Sequence, residues 1–360
     1  MKKILLFSFA VLAFAASCQK PQNDLFEPDP LDDGTPVKVM LGTNVLNATA
    51  KGSGPLEQFS NTVLSVFAID HASTNWTSGD PFLLKNYSVT ATGGSSASSF
   101  ETDKYYKDNV NYDFYGYYVD NIDHQETNLK IDAQAVTLPV TITGYEDILL
   151  ATTDKGKDSQ AAKDIDGKTF NENRVYSAYS ARRDVVPNLV FEHMLTRLDF
   201  VFKTGEDVNL NTRVEIVGIA VKSVINGTLI VAGDQDLVPA TEAETALNLR
   251  YPTETNFLEM PNTKDGVAIF GSNSNSIMVY PKAGSYELTV KVRQSKKIGA
   301  DWTPGSVETR TFPIALTSGS FKAGNKYEVT VITYGLEPVV VGVELTDWAL
   351  GDNTIIDSDK

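Results

Sequence analysis

"NLVFEHMLTRLDFVFK", residues 188–203, carries in its second half the two-residue rhythm of a β-strand: Leu198, Phe200 and Phe202 alternate with Asp199, Val201 and Lys203. Successive side chains on a strand point to opposite faces of a sheet, so such a run has one apolar face to bury. The same period recurs in both directions from here. "VKVMLGTNVL" (37–46) sets Val37, Val39, Leu41, Thr43 and Val45 on one face. "YELTVKVR" (286–293) alternates Tyr286, Leu288, Val290 and Val292 against Glu287, Thr289, Lys291 and Arg293, and "YEVTVITY" (327–334) repeats the pattern with Tyr327, Val329 and Val331. Further strand candidates are "VLSVFAID", "NYDFYGYYV", "AVTLPVTI", "DILLAT", "PNLVFE", "RVEIVGIAVKSV", "SIMVYP", "TRTFPIAL" and "VVVGVEL". Helical signals are weak, confined to "DSQAAKDIDGKTF" (158–170) and "EAETALNL" (242–249).

Gly, Ser, Asn and Asp punctuate the strand ends, as in "TGGSSASS", "KAGS" and "TSGSFKAGN". Many short strands with such punctuation predict an all-β chain of packed sheets, because an antiparallel sheet that is apolar on one face buries it against a second. No repeat of about 20 to 50 residues recurs, which argues against solenoids and propellers. The 188–203 stretch follows a polar insert, roughly 153–184, and precedes a second series of strands. It therefore marks the expected boundary between an N-terminal sandwich, 36–192, and a C-terminal sandwich, 193–360, of about 160 residues each.

The N-terminal residues are of another kind. Lys2 and Lys3 precede an apolar run from Ile4 to Ala16 that is too short for a membrane-spanning helix, which needs about 20 residues. It has the layout of a secretory signal, 1–17. Ala15, Ala16 and Ser17 lead directly to Cys18, the only cysteine, in an arrangement that resembles a bacterial lipobox, although many lipoboxes carry leucine where Ala15 stands. In a lipobox the thiol is acylated and the chain is cut just before it. One acyl chain holds a membrane only marginally while several hold it stably, so a triacylated Cys18 predicts an outer-membrane lipoprotein. Residues 18–35, rich in Asp, Glu and Pro, read as an extended acidic tether similar to the surface-export signal of Bacteroidetes lipoproteins, or as a plain solvated spacer.

The net charge of −15 excludes nucleic acid as a partner, since only Arg182-Arg183 and Lys296-Lys297 offset it. Catalytic signals are poor. His71, His124 and His193 stand far apart, and no HExxH, GxSxG, Walker or GxGxxG spacing occurs. "GDQD" (233–236) lacks the turn glycine and closing glutamate of a calcium loop. No catalytic, metal or cofactor residue is expected. Trp76, Trp302 and Trp348 are aromatic candidates for sugar stacking, but core or edge packing is the commoner use of an isolated tryptophan in a sandwich.

Taken in order, "NYDFYGYYVD", "GYEDILLAT", "NLVFEHMLTRLDFVFK", "SIMVYPKAG" and "FKAGNKYEVTVITYGLEPVVVGVELTDWALGDN" resemble the fimbrillin superfamily of Bacteroidales, the Mfa-like and FimA-like group. The resemblance spans the mature chain and rests on order and spacing, with Phe191, His193, Leu195, Leu198, Gly324, Tyr327, Trp348 and Gly351 as its landmarks. It implies two transthyretin-like β-sandwich domains, surface lipoprotein export and assembly with other fimbrial subunits that support adhesion to host or bacterial surfaces. In the family's stalk subunits a protease removes the lipid and the first strand, and the vacated groove takes a strand from the next subunit. Here that first strand is Val37 to Leu46, and "NATAKGSGPLEQF" offers Lys51 as a candidate processing site. Family processing is typically at arginine, whereas the first arginine is Arg174. Cleavage at Lys51 or Lys38, another protease, or no cleavage at all therefore stand side by side. The candidate donor strand is the C-terminal run, with Val339, Val341, Val343 and Leu345 alternating, and the competing reading makes the same run the last core strand. A surface lipoprotein that binds glycan or host protein without polymerising is the alternative function.

Overall fold

The computed structural model describes residues 31–45, 59, 61–91, 99–100, 102–120, 128–153, 176–268 and 276–346. Contacts gather the chain into two units, Met1–Thr35 and Pro36–Lys360. In the first, the described residues make a turn: Asp32 Oδ1 accepts from the Gly34 amide at 3.1 Å and Asp33 Oδ1 from the Thr35 amide at 2.9 Å. The signal segment and the tether up to residue 30, Cys18 included, lie outside the described residues.

The second unit is mostly β, with several sheets. A seven-stranded sheet runs β1-β9-β8-β5-β2-β3-β4, from β1 (Gly42–Val45), β2 (Thr62–Asp70), β3 (Phe82–Ala91), β4 (Ser99–Phe100), β5 (Tyr112–Val119), β8 (Ile148–Thr153) and β9 (Asn188–His193). A four-stranded sheet, β13-β12-β7-β6, joins β6 (Lys130–Ile131) and β7 (Val136–Thr141) to β12 (Asn226–Ala232) and β13 (Asp236–Pro239). The third sheet, β16-β10-β20-β21 with β17 beside β10, holds β10 (Thr196–Thr204), β16 (Val267–Ala268), β17 (Ser276–Val279), β20 (Lys326–Tyr334) and β21 (Glu337–Thr346). The fourth, β14-β11-β18-β19 with β15 beside β11, holds β11 (Thr212–Val224), β14 (Glu244–Asn248), β15 (Leu258–Glu259), β18 (Tyr286–Ile298) and β19 (Asp301–Ile314).

The alternating runs bury the faces that the sequence assigns to them. Leu198, Phe200 and Phe202 of β10, Tyr286, Leu288, Val290 and Val292 of β18, and Tyr327, Val329 and Val331 of β20 are all 2% exposed or less and pack in one core. β2 departs from the half-buried pattern. Leu64, Val66 and Ala68 face one core while Phe67 and Ile69 face another, because the seven-stranded sheet is covered on both sides. One cover is the four-stranded sheet. The other is a layer of irregular segments that includes Val39, Leu41, Phe59, Tyr106 and Tyr176 to Val185.

"EAETALNL", read as a short helical piece, is an edge strand instead: β14 pairs antiparallel with β11, Leu247 opposite Val221. Leu247 and Leu249 are buried, so pairing and burial override a composition that suits a helix. "DSQAAKDIDGKTF" lies outside the described residues. Among those described there is one short α-helix, α1 (Ala178–Ala181), capped by Ser177, whose Oγ accepts from the Ser180 amide at 3.4 Å.

The expected boundary between residues 192 and 193 falls at the end of β9. The seven-stranded sheet is built wholly from strands at or before this point, and the third and fourth sheets wholly from strands after it. The four-stranded sheet takes β6 and β7 from one side and β12 and β13 from the other.

Candidate assembly site

The first segment of the unit lies over the seven-stranded sheet. Val39 and Leu41 are fully buried and Thr43 nearly so, while Lys38 and Met40 point outward, which is the face expected from "VKVMLGTNVL". The side chain of Val45 lies outside the described residues. The backbone is held in two short pairings rather than one long strand. Residues 37–39 bridge antiparallel to 104–106, with the Val39 amide donating to Lys104 O at 2.7 Å and the Tyr106 amide to Val37 O at 2.9 Å. Gly42–Val45 then runs parallel to β9, opposite Asn188 to Phe191, after the Gly42 amide donates to Pro187 O at 2.9 Å. A Cβ at Gly42 would stand 2.7 Å from Asn188 Oδ1, so any larger residue there makes the Asn188 side chain turn away. Among the described residues β1 stands at the edge of its sheet, paired with β9.

Below the segment is an apolar groove. Leu64 and Val66 of β2, Leu189 and Phe191 of β9, and Phe59 share the core that Val39 and Leu41 complete. Phe59 packs edge-on against Phe191, ring centroids 5.1 Å apart. Tyr106 and Tyr112 stand 6.1 Å apart in the same core with buried hydroxyls, and that of Tyr106 finds no hydrogen-bond partner among the described residues. Burial raises both phenols above their ordinary range, Tyr112 to about 12, with the Asp70 carboxylate adding to the shift. Both are therefore neutral at physiological pH. Lys51 lies outside the described residues, between Val45 and Phe59.

The C-terminal run forms β21, the edge strand beside β20. Val343 is opposite Val329 and Leu345 opposite Tyr327, with Leu345 63% exposed. A register shift between Thr330 and Val331 breaks the alternation, so Val339 pairs with Ile332 and Val341 is the residue passed over. The side chains of Val339 and Val341 lie outside the described residues. A bidentate pair fastens the start of the strand: Arg310 Nη2 donates to Glu337 Oε1 at 2.9 Å and Arg310 Nε to Oε2 at 3.3 Å. The guanidinium lowers the Glu337 carboxyl below its ordinary range, by hydrogen bond first and charge second.

Elsewhere, the described histidines and tryptophans meet neighbours within the fold. His193 is buried against Asp147, Nδ1 to Oδ2 2.9 Å, and His71 meets Asp113 at 3.0 Å near the surface. Trp76 is buried beside Tyr115, and Trp302 lies over the Arg213 guanidinium at 4.7 Å. His124 and Trp348 lie outside the described residues. Among the described residues no group of three or more His, Cys, Asp or Glu could hold a metal ion, and no helix is long and apolar enough to cross a membrane. Buried Glu215, which Arg213 and Arg293 contact through Nε at 2.5 and 2.6 Å, carries no signal in the local sequence pattern. Charged residues on a strand read as solvated until the neighbouring strand supplies their partners.

Residues 57–348 match the model of a family described as fimbrillin-like. Among solved structures, a fimbrial protein from Bacteroides vulgatus is 14% identical with a TM-score of 0.50, the alignment covering 87% of this chain and 99% of that one. The fimbrial anchor protein Mfa2 from Porphyromonas gingivalis is 13% identical with a TM-score of 0.36, covering 87% and 98%. No curated protein matches the chain.

Proposed function

We propose that this chain, which belongs to the fimbrillin-like family, is a structural subunit of surface fimbriae that assembles by strand exchange and supports adhesion. The family is one of structural, non-enzymatic proteins. The observation that carries the reading is the first segment: an edge element in two short pairings, whose buried Val39 and Leu41 cover an apolar groove. A cut at Lys51 frees this segment from the chain while Phe59, downstream of the cut, stays with the core. The open edge then carries unpaired backbone groups beside apolar side chains, and a strand of matching alternation from another subunit satisfies both. β21 is the donor in this proposal, released from β20 when the Arg310–Glu337 clip and its ladder open.

In the same proposal residues 36–192 and 193–360 are the two transthyretin-like domains, and lipid on Cys18 holds the precursor in the outer membrane, at the cell surface, until processing. A second reading keeps the chain uncleaved, as a lipid-anchored surface protein that binds glycan or host protein without polymerising. What favours it is the full ladder of β21 on β20 and the first arginine standing as late as Arg174.

The test is incubation of purified protein with a lysine-specific protease, followed by electrophoresis without boiling. The proposal expects cleavage between Val45 and Phe59 and a detergent-resistant ladder, lost when the chain is truncated after Val331. A cleaved chain that stays monomeric supports the anchored reading, and a truncated chain that polymerises equally well excludes β21 as donor.

A further inference from the structure

The four-stranded sheet joins segments far apart in sequence. β12 lies antiparallel to β7, with Asn226 opposite Thr141, Gly227 opposite Val140 and Leu229 opposite Leu138, and the Ile142 amide extends the ladder to Ile225 O at 2.7 Å. Val136, Leu138, Leu229 and Val231 are at most 1% exposed and share a core with Phe67 and Tyr117 of the seven-stranded sheet. β12 and β13 supply two of the four strands of the sheet that covers this face of the first half, beside β7 and the two-residue β6. Before Ile225 the chain belongs to the second half: β11 ends at Val224 and pairs with β18. One continuous stretch of backbone thus passes from the sandwich of the second half into the cover of the first.

The hairpin is also fixed at its turn and its flank. Gly233, at φ +99°, faces the Gln134 carbonyl so closely that a Cβ would stand 2.5 Å from it. Gln235 Nε2 donates to Ala151 O of β8 at 3.2 Å and to Val231 O at 2.8 Å. On the other side, Tyr280 of the second half donates its hydroxyl to Leu237 O at 2.7 Å. A separate contact ties the halves where the Met278 amide donates to Gly144 O at 2.9 Å.

We propose that the β12–β13 hairpin makes the two halves one cooperative folding unit, so that neither half keeps its native core when the other unfolds. This departs from the expectation of two sandwiches with separate cores. For a fibre subunit, as proposed above, tension passes from one half to the other through a hydrogen-bonded ladder rather than through a flexible linker.

The experiment uses the full chain with Cys18→Ser, labelled with fluorotryptophan and followed by fluorine NMR through a urea titration. Trp76 reports on the first half and Trp302 on the second, with signals assigned from Trp→Phe variants. Loss of both native signals at one midpoint is the expected result, with Leu229→Ala lowering both midpoints equally. Two separate midpoints in the parent chain, or a Leu229→Ala shift confined to one tryptophan, overturn the proposal. Should Leu229→Ala not fold, a cross-link decides. The side chains of Thr141 and Asn226 are 3.2 Å apart, so Thr141→Cys with Asn226→Cys places a disulfide on the seam. Oxidation is expected to raise both midpoints together and reductant to return them, while a rise at only one tryptophan again overturns the proposal.

Discussion

Leu41→Ala weighs directly on the segment that the assembly reading removes. Leu41 is fully buried in the groove between Val39 and Thr43. Truncating a buried leucine to alanine costs about 2–5 kcal/mol, and the lower part of that range, about 2–3 kcal/mol, suits an edge segment whose neighbours can settle into the space. The Val39 and Gly42 amides, which donate to Lys104 O and Pro187 O, report the cost as hydrogen exchange. At about 1.4 kcal/mol per factor of ten, their exchange accelerates roughly 30- to 150-fold. Met40→Ala, at a side chain 42% exposed, is the control and changes stability by less than about 0.5 kcal/mol. A second comparison asks whether the segment opens by itself. In the parent chain Val39 and Gly42 should exchange faster than Val329 and Val331, which sit in the ladder between β10 and β21. That gap reports local opening, because Leu41→Ala also accelerates any exchange that requires global unfolding. Equal protection at the two sets of amides, or a Leu41→Ala chain that exchanges no faster than Met40→Ala, refutes a detachable first segment.

Two further outcomes follow from buried polar groups. Glu215 is fully buried and joins Arg213, Arg293 and the Ser295 hydroxyl, so Glu215→Ala strips two guanidinium groups of their common counter-charge and should cost about 3–5 kcal/mol in urea unfolding; a loss within about 0.5 kcal/mol would show that solvent replaces the carboxylate. Burial raises Tyr106, Tyr112 and Tyr115, the last two to about 12, so the folded chain holds these protons longer than the unfolded chain does. Stability from this source is complete below the ordinary phenol value of 10.0 and declines as pH climbs from there toward about 12. Tyr106→Phe, which deletes a hydroxyl without a partner among the described residues, should leave the melting temperature at neutral pH unchanged or higher and soften the alkaline decline; a variant that melts lower at neutral pH and declines as steeply as the parent would contradict both points.

The strands legible in the sequence are those whose burial is one-sided. β10, β18 and β20 announce themselves by alternation because each packs one face and leaves the other to polar residues. β3 and β12 were not legible in this way. β3 includes Lys85 and Asn86, the latter at a positive φ, and two register shifts interrupt its pairing with β2, so its period is broken where the chain twists. β12 follows β11 after the single residue Ile225 and opens on Asn226-Gly227, a pair that reads as a turn, which leaves only a short apolar run, Leu229 to Ala232, to mark the strand. What separates them is the partner each finds, β18 for one and β7 for the other, and pairing over such sequence distance leaves no local trace.

The same limit governs the assembly site. Alternation in 37–46 correctly identifies the inward face, Val39, Leu41 and Thr43, but cannot reveal that the backbone changes neighbours between residues 39 and 42. That change matters because two short pairings on different partners can be released one after the other, whereas one continuous ladder resists removal along its whole length. The C-terminal run illustrates the converse. Its period is regular in sequence, yet the shift beside Val331 sets Val339 opposite the half-buried Ile332, while Val343 and Leu345 lie opposite core residues of β20. A strand that fills a groove from residue 339 to 345 on a strict two-residue period must therefore lose this shift when it leaves β20. Donation, on the proposed reading, is a change of backbone conformation as well as of partner, and the groove has to supply the free energy for both.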